Sequence, residues 1–403
     1  MSTLSDKLKS LGVQLGTKNI TAAIKKDPSI SDITGGYSFE TIHGTAFVID
    51  TLTKDIENTA SLINESNILS GLAKWINNPN INELRYDQLG YVDIETTGLS
   101  GGSGTLAFLV GCGRFEGDSF LVRQFFLDDP AEELAQLTAF EEFISPCRAL
   151  VTFNGKSFDA PIINSRFTLH GWRSPLYELI HIDLLRLARR LWPHRIPSRT
   201  LGNLEVQILN TSRTEEDIPG WMIPQIYMDY LYTGNAYPLK RVFYHNYQDV
   251  FTLTKLFNHT AQLLYNPLSN VFEYGADLIA LAKIFEDMGD TNLAADLFFQ
   301  GLDFELSEEI MLEAIHRLSL IQKRGNNFQD AIDLWKRATH YHYLEAYIEL
   351  AKYYEHHVQE YSSALYWTES AIEIVLANPE SYKKEILDGL IHRAKRITRL
   401  MNI

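Results

Sequence analysis

The stretch Tyr91-Val92-Asp93-Ile94-Glu95-Thr96-Thr97-Gly98 decides the reading of this chain. Tyr91-Val92 begins a strand-like run, and the glycine-rich Leu99-Ser100-Gly101-Gly102-Ser103-Gly104 ends it in a loop. Side chains alternate between the faces of an extended strand, so Asp93 and Glu95 point the same way. Two carboxylates on one face beside a buried strand repel each other and lose hydration, and a cation between them relieves both costs. Oxygen-only ligation suits Mg²⁺ or Mn²⁺. An edge strand carrying two solvated acids has the same local pattern, so the surrounding sequence must choose.

Outward from that strand, residues 85 to 265 alternate between strand and helix patterns. Thr105 to Val110 and Ser119 to Phe126 read as strands joined by the turn Glu116-Gly117-Asp118, a hairpin signal. Pro130 to Ile144 has helical spacing at Leu134, Leu137, Phe140 and Phe143. Ala149-Leu150-Val151-Thr152-Phe153 is a buried-type strand ending at Asn154-Gly155. Helices are predicted from Ala160, from Ile182 to Trp192 and from Phe243 to Leu264. The order describes a mixed sheet with helices packed on it, an α/β layer domain.

On either side the character changes. Residues 1–84 are polar and mixed; Thr45 to Asp50 reads as a strand and Thr59 to Ile76 as a helix, in an N-terminal accessory segment without a readable role. From about 267 to 403 the strands disappear. Leu281-Ala282, Leu318-Ser319 and Leu350-Ala351 echo one another, as do Ala294-Ala295, Ala331 and Ala364. These steps lie near the roughly 34-residue period of paired-helix tetratricopeptide repeats. The basic end, Lys383 to Arg399, reads as a capping helix. The predicted domains are therefore 1–84, 85–266 and 267–403.

The 403 residues are 45% hydrophobic and 12% aromatic, enough for packed cores and unlike a disordered chain. Cys112 and Cys147 have no metal-like spacing, which fits a reducing compartment without a disulfide framework. No segment has a signal-peptide core or the roughly 20 apolar residues of a membrane span, so a cytoplasmic location away from membranes is expected. A net charge of −15 rules out whole-protein attraction to nucleic acid; contact with a phosphate backbone needs a local basic patch or bound metal. A patch exists: Arg186, Arg189, Arg190, Arg195 and Arg199 lie between Leu184 and Leu204 with no acid among them, beside Trp192 and His194.

Three further features bear on Asp93 and Glu95. In Phe153-Asn154-Gly155-Lys156-Ser157-Phe158-Asp159 an aspartate follows a tight turn just ahead of a helix, where it also has the commonest N-cap residue type. His245 and Asp249 are four apart on one helical face. The third is their order along the chain. Together they resemble the DEDD superfamily of ribonuclease H-like 3′–5′ exonucleases: Asp93-Ile94-Glu95-Thr96-Thr97-Gly98 matches its first motif, D-x-E-T-T-G, Asn154 to Asp159 matches N-x-x-x-F-D, and Asp249 ends the third. Residues 85 to 403, including the glycine-rich loop, look like the YprB-like bacterial group, which joins such a domain to tetratricopeptide repeats.

The resemblance implies that Asp93, Glu95, Asp159 and Asp249 hold two divalent ions, Mg²⁺ or Mn²⁺, beside a general base. One DEDD subgroup places that base as His-x4-Asp and the other as Tyr-x3-Asp, whereas this chain has His245-x3-Asp249 and Tyr244-x4-Asp249. His245 titrates nearer neutrality and is assigned the role, with Tyr244 as the alternative. Thr96, Asn154, Lys156, Arg186, Arg189 and Arg190 are assigned to substrate binding, with Trp192 as a stacking surface. His181 and Asp183 could extend the acidic cleft but read first as local caps or pairs, and His340, His342, His356 and His357 as surface or groove residues of helical pairs. The expected function is a metal-dependent 3′–5′ exonuclease on single-stranded DNA or RNA whose repeats bind a protein partner. A non-cleaving nucleic-acid-binding adaptor is the rival, since base spacing and charge balance depart from the pattern.

Overall fold

The computed structural model describes residues 29–54, 67–98 and 104–402; the glycine-rich loop and the first part of the helix expected over Thr59 to Ile76 fall outside them. Among the described residues, seven strands form one mixed sheet: β1 (Tyr37–Thr41), β2 (Gly44–Lys54), β3 (Leu89–Thr96), β4 (Ala107–Glu116), β5 (Ser119–Phe126), β6 (Ala149–Thr152) and β7 (Ile180–Asp183). Their order is β1-β2-β5-β4-β3-β6-β7. The pairs from β1 to β3 are antiparallel, and β3, β6 and β7 run parallel. The α/β layer architecture read from the sequence is present.

Two features differ from the sequence reading. Residues 37–54, expected in an accessory segment, are part of the sheet: β2 pairs with β5 from Phe47↔Phe126 to Lys54↔Ser119. Without β2 the outer edge of the β4–β5 hairpin would present unpaired amides and carbonyls. The second is β7, whose four residues are too short to show a period and stand directly before the arginine-rich helix Leu184–Leu191. Two further helices, Leu201–Gln207 and Ile223–Thr233, carry the chain around the open end of the sheet.

Alternation along β3 splits its side chains between two cores. Val92 and Ile94 pack with Val110, Phe140 and Ile163 under the helices Glu133–Ile144 and Asp159–Leu169. Tyr91 faces the other way, against Phe120 and Phe257, with ring centroids 5.6 and 5.8 Å apart. Phe257 belongs to the long helix Leu239–Tyr265, which crosses that face. Glycines in β4 allow it to lie close. A Cβ on Gly111 would stand 2.2 Å from Asn246 Oδ1, and one on Gly113 2.3 Å from the Phe120 ring.

The region after 270 is a succession of packed helices: Gly275–Asp287 with Thr291–Gly301, Glu308–Arg324 with Phe328–Thr339, and Leu344–Tyr353 with Tyr361–Ala377, closed by Lys384–Met401. The last helix is more than a solvated cap, because Arg393 and Arg396 pair with the buried Glu355 at 2.7 and 2.6 Å. The first pair shares a continuous core with the sheet domain through Leu191, Leu278 and Leu281. Arg195 fastens that contact by bonding Asp277 at 2.8 Å, and Arg190 pairs with Asp287. Cys112 and Cys147 are buried and free. Among the described residues no helix is long and apolar enough to cross a membrane.

Because the long helix rests on a residue without a side chain, Gly111→Ala should cost about 1–3 kcal/mol, the usual penalty for overpacking a closed interior. Urea unfolding of the variant measures it; wild-type stability would show that the helix is free to move off the sheet.

Candidate metal centre

Asp93 and Glu95 stand at the carboxyl end of β3, on the face that Tyr91 turns toward the long helix. As the strand advances, its partners step back along that helix, from Phe257 opposite Tyr91 to Asn246 at Asp93 and His245 at Glu95. Asn246 is fully buried. Its amide nitrogen donates to the Asp93 carbonyl at 3.1 Å and to Asp93 Oδ2 at 2.9 Å, while its oxygen accepts from Gln124 at 2.9 Å. Register Asp93↔Gly111 puts the missing side chain of β4 where Asn246 enters.

Asp159 arrives from the neighbouring parallel strand. After β6 the chain turns sharply: Asn154 has φ +67°, and a Cβ on Gly155 would stand 2.4 Å from Thr152. Asp183 ties this turn together, accepting from the amides of Asn154 at 2.9 Å and Lys156 at 3.1 Å while capping the next helix at Leu185. It is thus a local cap, as its sequence position implied, and His181 likewise bonds Thr152 Oγ1 at 2.8 Å. Asp159 then opens its helix, is 6% exposed and accepts from the Ile94 amide. β6 pairs with β3 only as far as Tyr91, so the strand beyond is open to Asp159.

The carboxyls feel one another strongly. Burial, then the charges of Asp249, Glu95 and Asp159, push Asp93 well above the ordinary range. Burial and Asp249 raise Glu95 to about 8 despite the neighbouring His245, and burial raises Asp159 to about 7. Asp249 goes the other way: burial would raise it, but hydrogen bonds and charge from His245 and Arg213 hold it below the usual range. Burial alone would lower His245, yet Asp249, Glu95 and Asp217 lift it to about 9.

Around Asp249 the partners are specific. His245 Nε2 lies 3.3 Å from Asp249 Oδ2 and 4.0 Å from Glu95 Oε1, and its Nδ1 lies 2.7 Å from Asp217 Oδ1. Ligand atoms of Glu95, His245 and Asp249 fall within 4.8 Å of one another. Arg213 donates to Asp249 Oδ1 and is clamped from behind by Glu205 at 2.6 and 2.7 Å. Tyr244 turns away, its hydroxyl accepting from the Thr214 amide at 3.1 Å. Of the two candidate bases, His245 is the one beside the acids.

The other sequence-derived candidates divide. Thr96 is buried with its hydroxyl donated to the Gly98 carbonyl, so it fastens the turn after β3. Asn154 and Lys156 are exposed on the turn beside Asp159. Arg186 and Arg189 are exposed, whereas Arg190 is held by Asp287 and lies over the Trp75 ring. Lys156, Arg186, Arg190 and Trp75 line a groove of about 360 Å³ that also includes Asp183 but none of the four acids. Trp192 is no stacking surface: it is 2% exposed and stacked on His259. Arg195 and Arg199 are equally structural, the latter bonding the Pro193 carbonyl at 2.5 Å. Arg213, Glu205, Asp217 and Asn246 were not found by sequence reasoning. Arg213 is 36 residues from Asp249 in a loop of no regular pattern, and only the polar Asn246 amid a buried helical face gave a signal.

The donor set fits a hard divalent cation: three carboxylates, Asp159 buried and Asp93 and Glu95 half-buried, without an ion-paired lysine or arginine among the described residues, offering oxygen only. The family model that matches, described as the RNase_H superfamily, covers residues 90–261. The uncharacterized protein YprB of Bacillus subtilis (strain 168) is 33% identical over 352 residues, covering 85% of this chain and 81% of that protein.

The raised carboxyls fix a sign. A group whose folded pKa lies above its unfolded value stabilises the fold at low pH and loses that contribution as pH rises through the folded value. Cation-free protein should therefore lose thermal stability progressively from the ordinary carboxyl range, about pH 4, up to about pH 9, as Asp159 and Glu95 pass their folded values near 7 and 8 and His245 its value near 9. Added Mg²⁺ should raise the melting temperature more at pH 9 than at pH 6, because it binds the ionised carboxylates. Scanning fluorimetry with chelator or Mg²⁺ at both pH values reads this; a Mg²⁺ effect independent of pH would contradict it.

Proposed function

The chain belongs to the family of YprB and carries an RNase_H superfamily domain, and from that premise we propose that it is a metal-dependent nuclease, a 3′–5′ exonuclease on single-stranded nucleic acid. The superfamily suggests a nuclease and hence nucleic-acid binding. The observation carrying the reading is the convergence of Asp93, Glu95, Asp159 and Asp249 from two parallel strand ends and one helix, with burial and mutual repulsion raising the first three above the ordinary carboxyl range. Two divalent ions held there, Mg²⁺ or Mn²⁺, would supply Lewis-acid activation of water and neutralise charge at the scissile phosphate.

The remaining work falls to the chain's own residues. His245 directs Nε2 at the cluster and Nδ1 at Asp217. The acids that raise it to about 9 keep it protonated in the cation-free protein; with dications on those acids its value would fall, so that Nε2 could take a proton from the attacking water while Asp217 steadies the imidazolium. Lys156 and Arg186 offer charge to phosphates beyond the scissile one, and Trp75 offers an aromatic face in the same groove. The helical pairs are read as tetratricopeptide-like and as the region that binds a protein partner. The second reading, an adaptor that binds without cutting, is favoured by one observation: Asp249 is already engaged by Arg213.

End-labelled oligonucleotides with Mg²⁺ or Mn²⁺ separate the two. Asp93→Asn should lower cleavage at least about 100-fold, as expected when preorganised charge is removed from a reacting centre. His245→Ala should lose about 100- to 10,000-fold, the range for a general base. Equal cleavage by wild type and Asp93→Asn would assign the activity to a contaminant and leave the adaptor.

A further inference from the structure

The four acids are not equivalent. Asp93 is held by the neutral Asn246 amide, Asp159 by backbone amides, and Glu95 has its nearest cationic group, His245, at 4.0 Å. Asp249 is already spoken for: Oδ1 accepts from Arg213, and Oδ2 lies 3.3 Å from His245 Nε2. Arg213 is not a loosely placed surface cation. Its side chain is 11% exposed, and Glu205, a 4% exposed side chain, grips it through both oxygens at 2.6 and 2.7 Å. Thr252 in turn donates its hydroxyl to Glu205. A planar guanidinium gripped in this way presents its remaining edge in a fixed direction: one terminal nitrogen donates to Asp249, and the other lies 3.3 Å from His245 Nδ1 and 3.5 Å from Asp217 Oδ2.

A dication at Asp249 would meet this fixed positive charge at close range, and repulsion between like charges is strong where water is excluded. We propose that Arg213 is a built-in counter-cation holding the Asp249 position of the centre, so that the free protein takes up one divalent ion, at Asp93, Glu95 and Asp159, and admits a second only when Arg213 leaves Asp249. This rests on the metal-nuclease reading and deepens it. A phosphodiester is the natural ligand to draw Arg213 away, because a guanidinium pairs with phosphate as it does with carboxylate. Arg213 is then a positioning residue that links completion of the centre to arrival of the substrate.

The test is Mn²⁺ titration by calorimetry on the full chain without nucleic acid, with electron paramagnetic resonance of the bound ion. Wild type should take up one Mn²⁺ and give the spectrum of an isolated ion. The double variant Glu205→Gln with Arg213→Gln, in which two amides retain a hydrogen bond and no buried charge is left alone, should take up two and show a coupled pair. Arg213→Lys, with a single point charge in place of the fork, is the second variant. It should take up a second Mn²⁺ where wild type takes up only one. Two ions of similar affinity in wild type would overturn the proposal while leaving the nuclease reading intact, and needs no variant. One ion in both wild type and the folded double variant would overturn it too. No Mn²⁺ bound in any of them would overturn both readings together.

Discussion

The hydrogen bond from Asn246 to Asp93, made over the bare backbone of Gly111, is the contact on which the rest of the centre depends. It fixes the height of a 27-residue helix above the sheet, and with it the placement of His245 and Asp249 one residue before and one turn after. Asp93 sits in the carboxyl half of a strand whose other face is committed to the core through Val92 and Ile94. It cannot move without unpacking the sheet. The helix is held as firmly by Tyr91 and Phe257 on one side and Gln124 on the other. Rigid elements on both sides leave little tolerance, which suits a site that must hold charge in fixed geometry.

That rigidity has an electrostatic cost. Bringing Asp93, Glu95 and Asp159 together with little access to water disfavours ionisation of all three by more than the Asn246 amide at Asp93, the Ile94 amide at Asp159 and His245 beside Glu95 favour it. Asp249 is compensated twice, by His245 and Arg213. Strain of this kind, kept at one end of an otherwise well-satisfied sheet, points to a ligand of opposite charge. Compare Glu133, buried on the far side of the sheet, whose carboxylate is matched by Arg166 at 2.5 Å and His170 at 2.8 Å. The fold neutralises a buried acid where the acid is structural.

Much of this was legible in the sequence. Period-two alternation placed Asp93 and Glu95 on one face because the strand is long and its apolar partners are unambiguous. The tight turn before Asp159 was readable from Asn154-Gly155, since few residues tolerate φ +67°. What escaped was what depends on distant pairing. Strand β2 joins the sheet through β5, more than 60 residues on, and no local pattern announces the partner. Trp192 sat in a basic run that looked solvated, yet burial against His259 claimed it. Arg213 lies in an irregular loop and Glu205 in a short helix, and only the closed chain brings them to Asp249.

The central claim is that these carboxylates hold divalent ions against a phosphodiester. The most direct measurement is anomalous diffraction at the manganese edge from crystals of the full chain grown with Mn²⁺ and a short phosphorothioate single strand. The account predicts anomalous peaks bonded to the carboxylates of Asp93, Glu95 and Asp159, with a backbone phosphate of the strand against them. Well-ordered carboxylates with no anomalous peak between them, and the strand bound elsewhere, would contradict it.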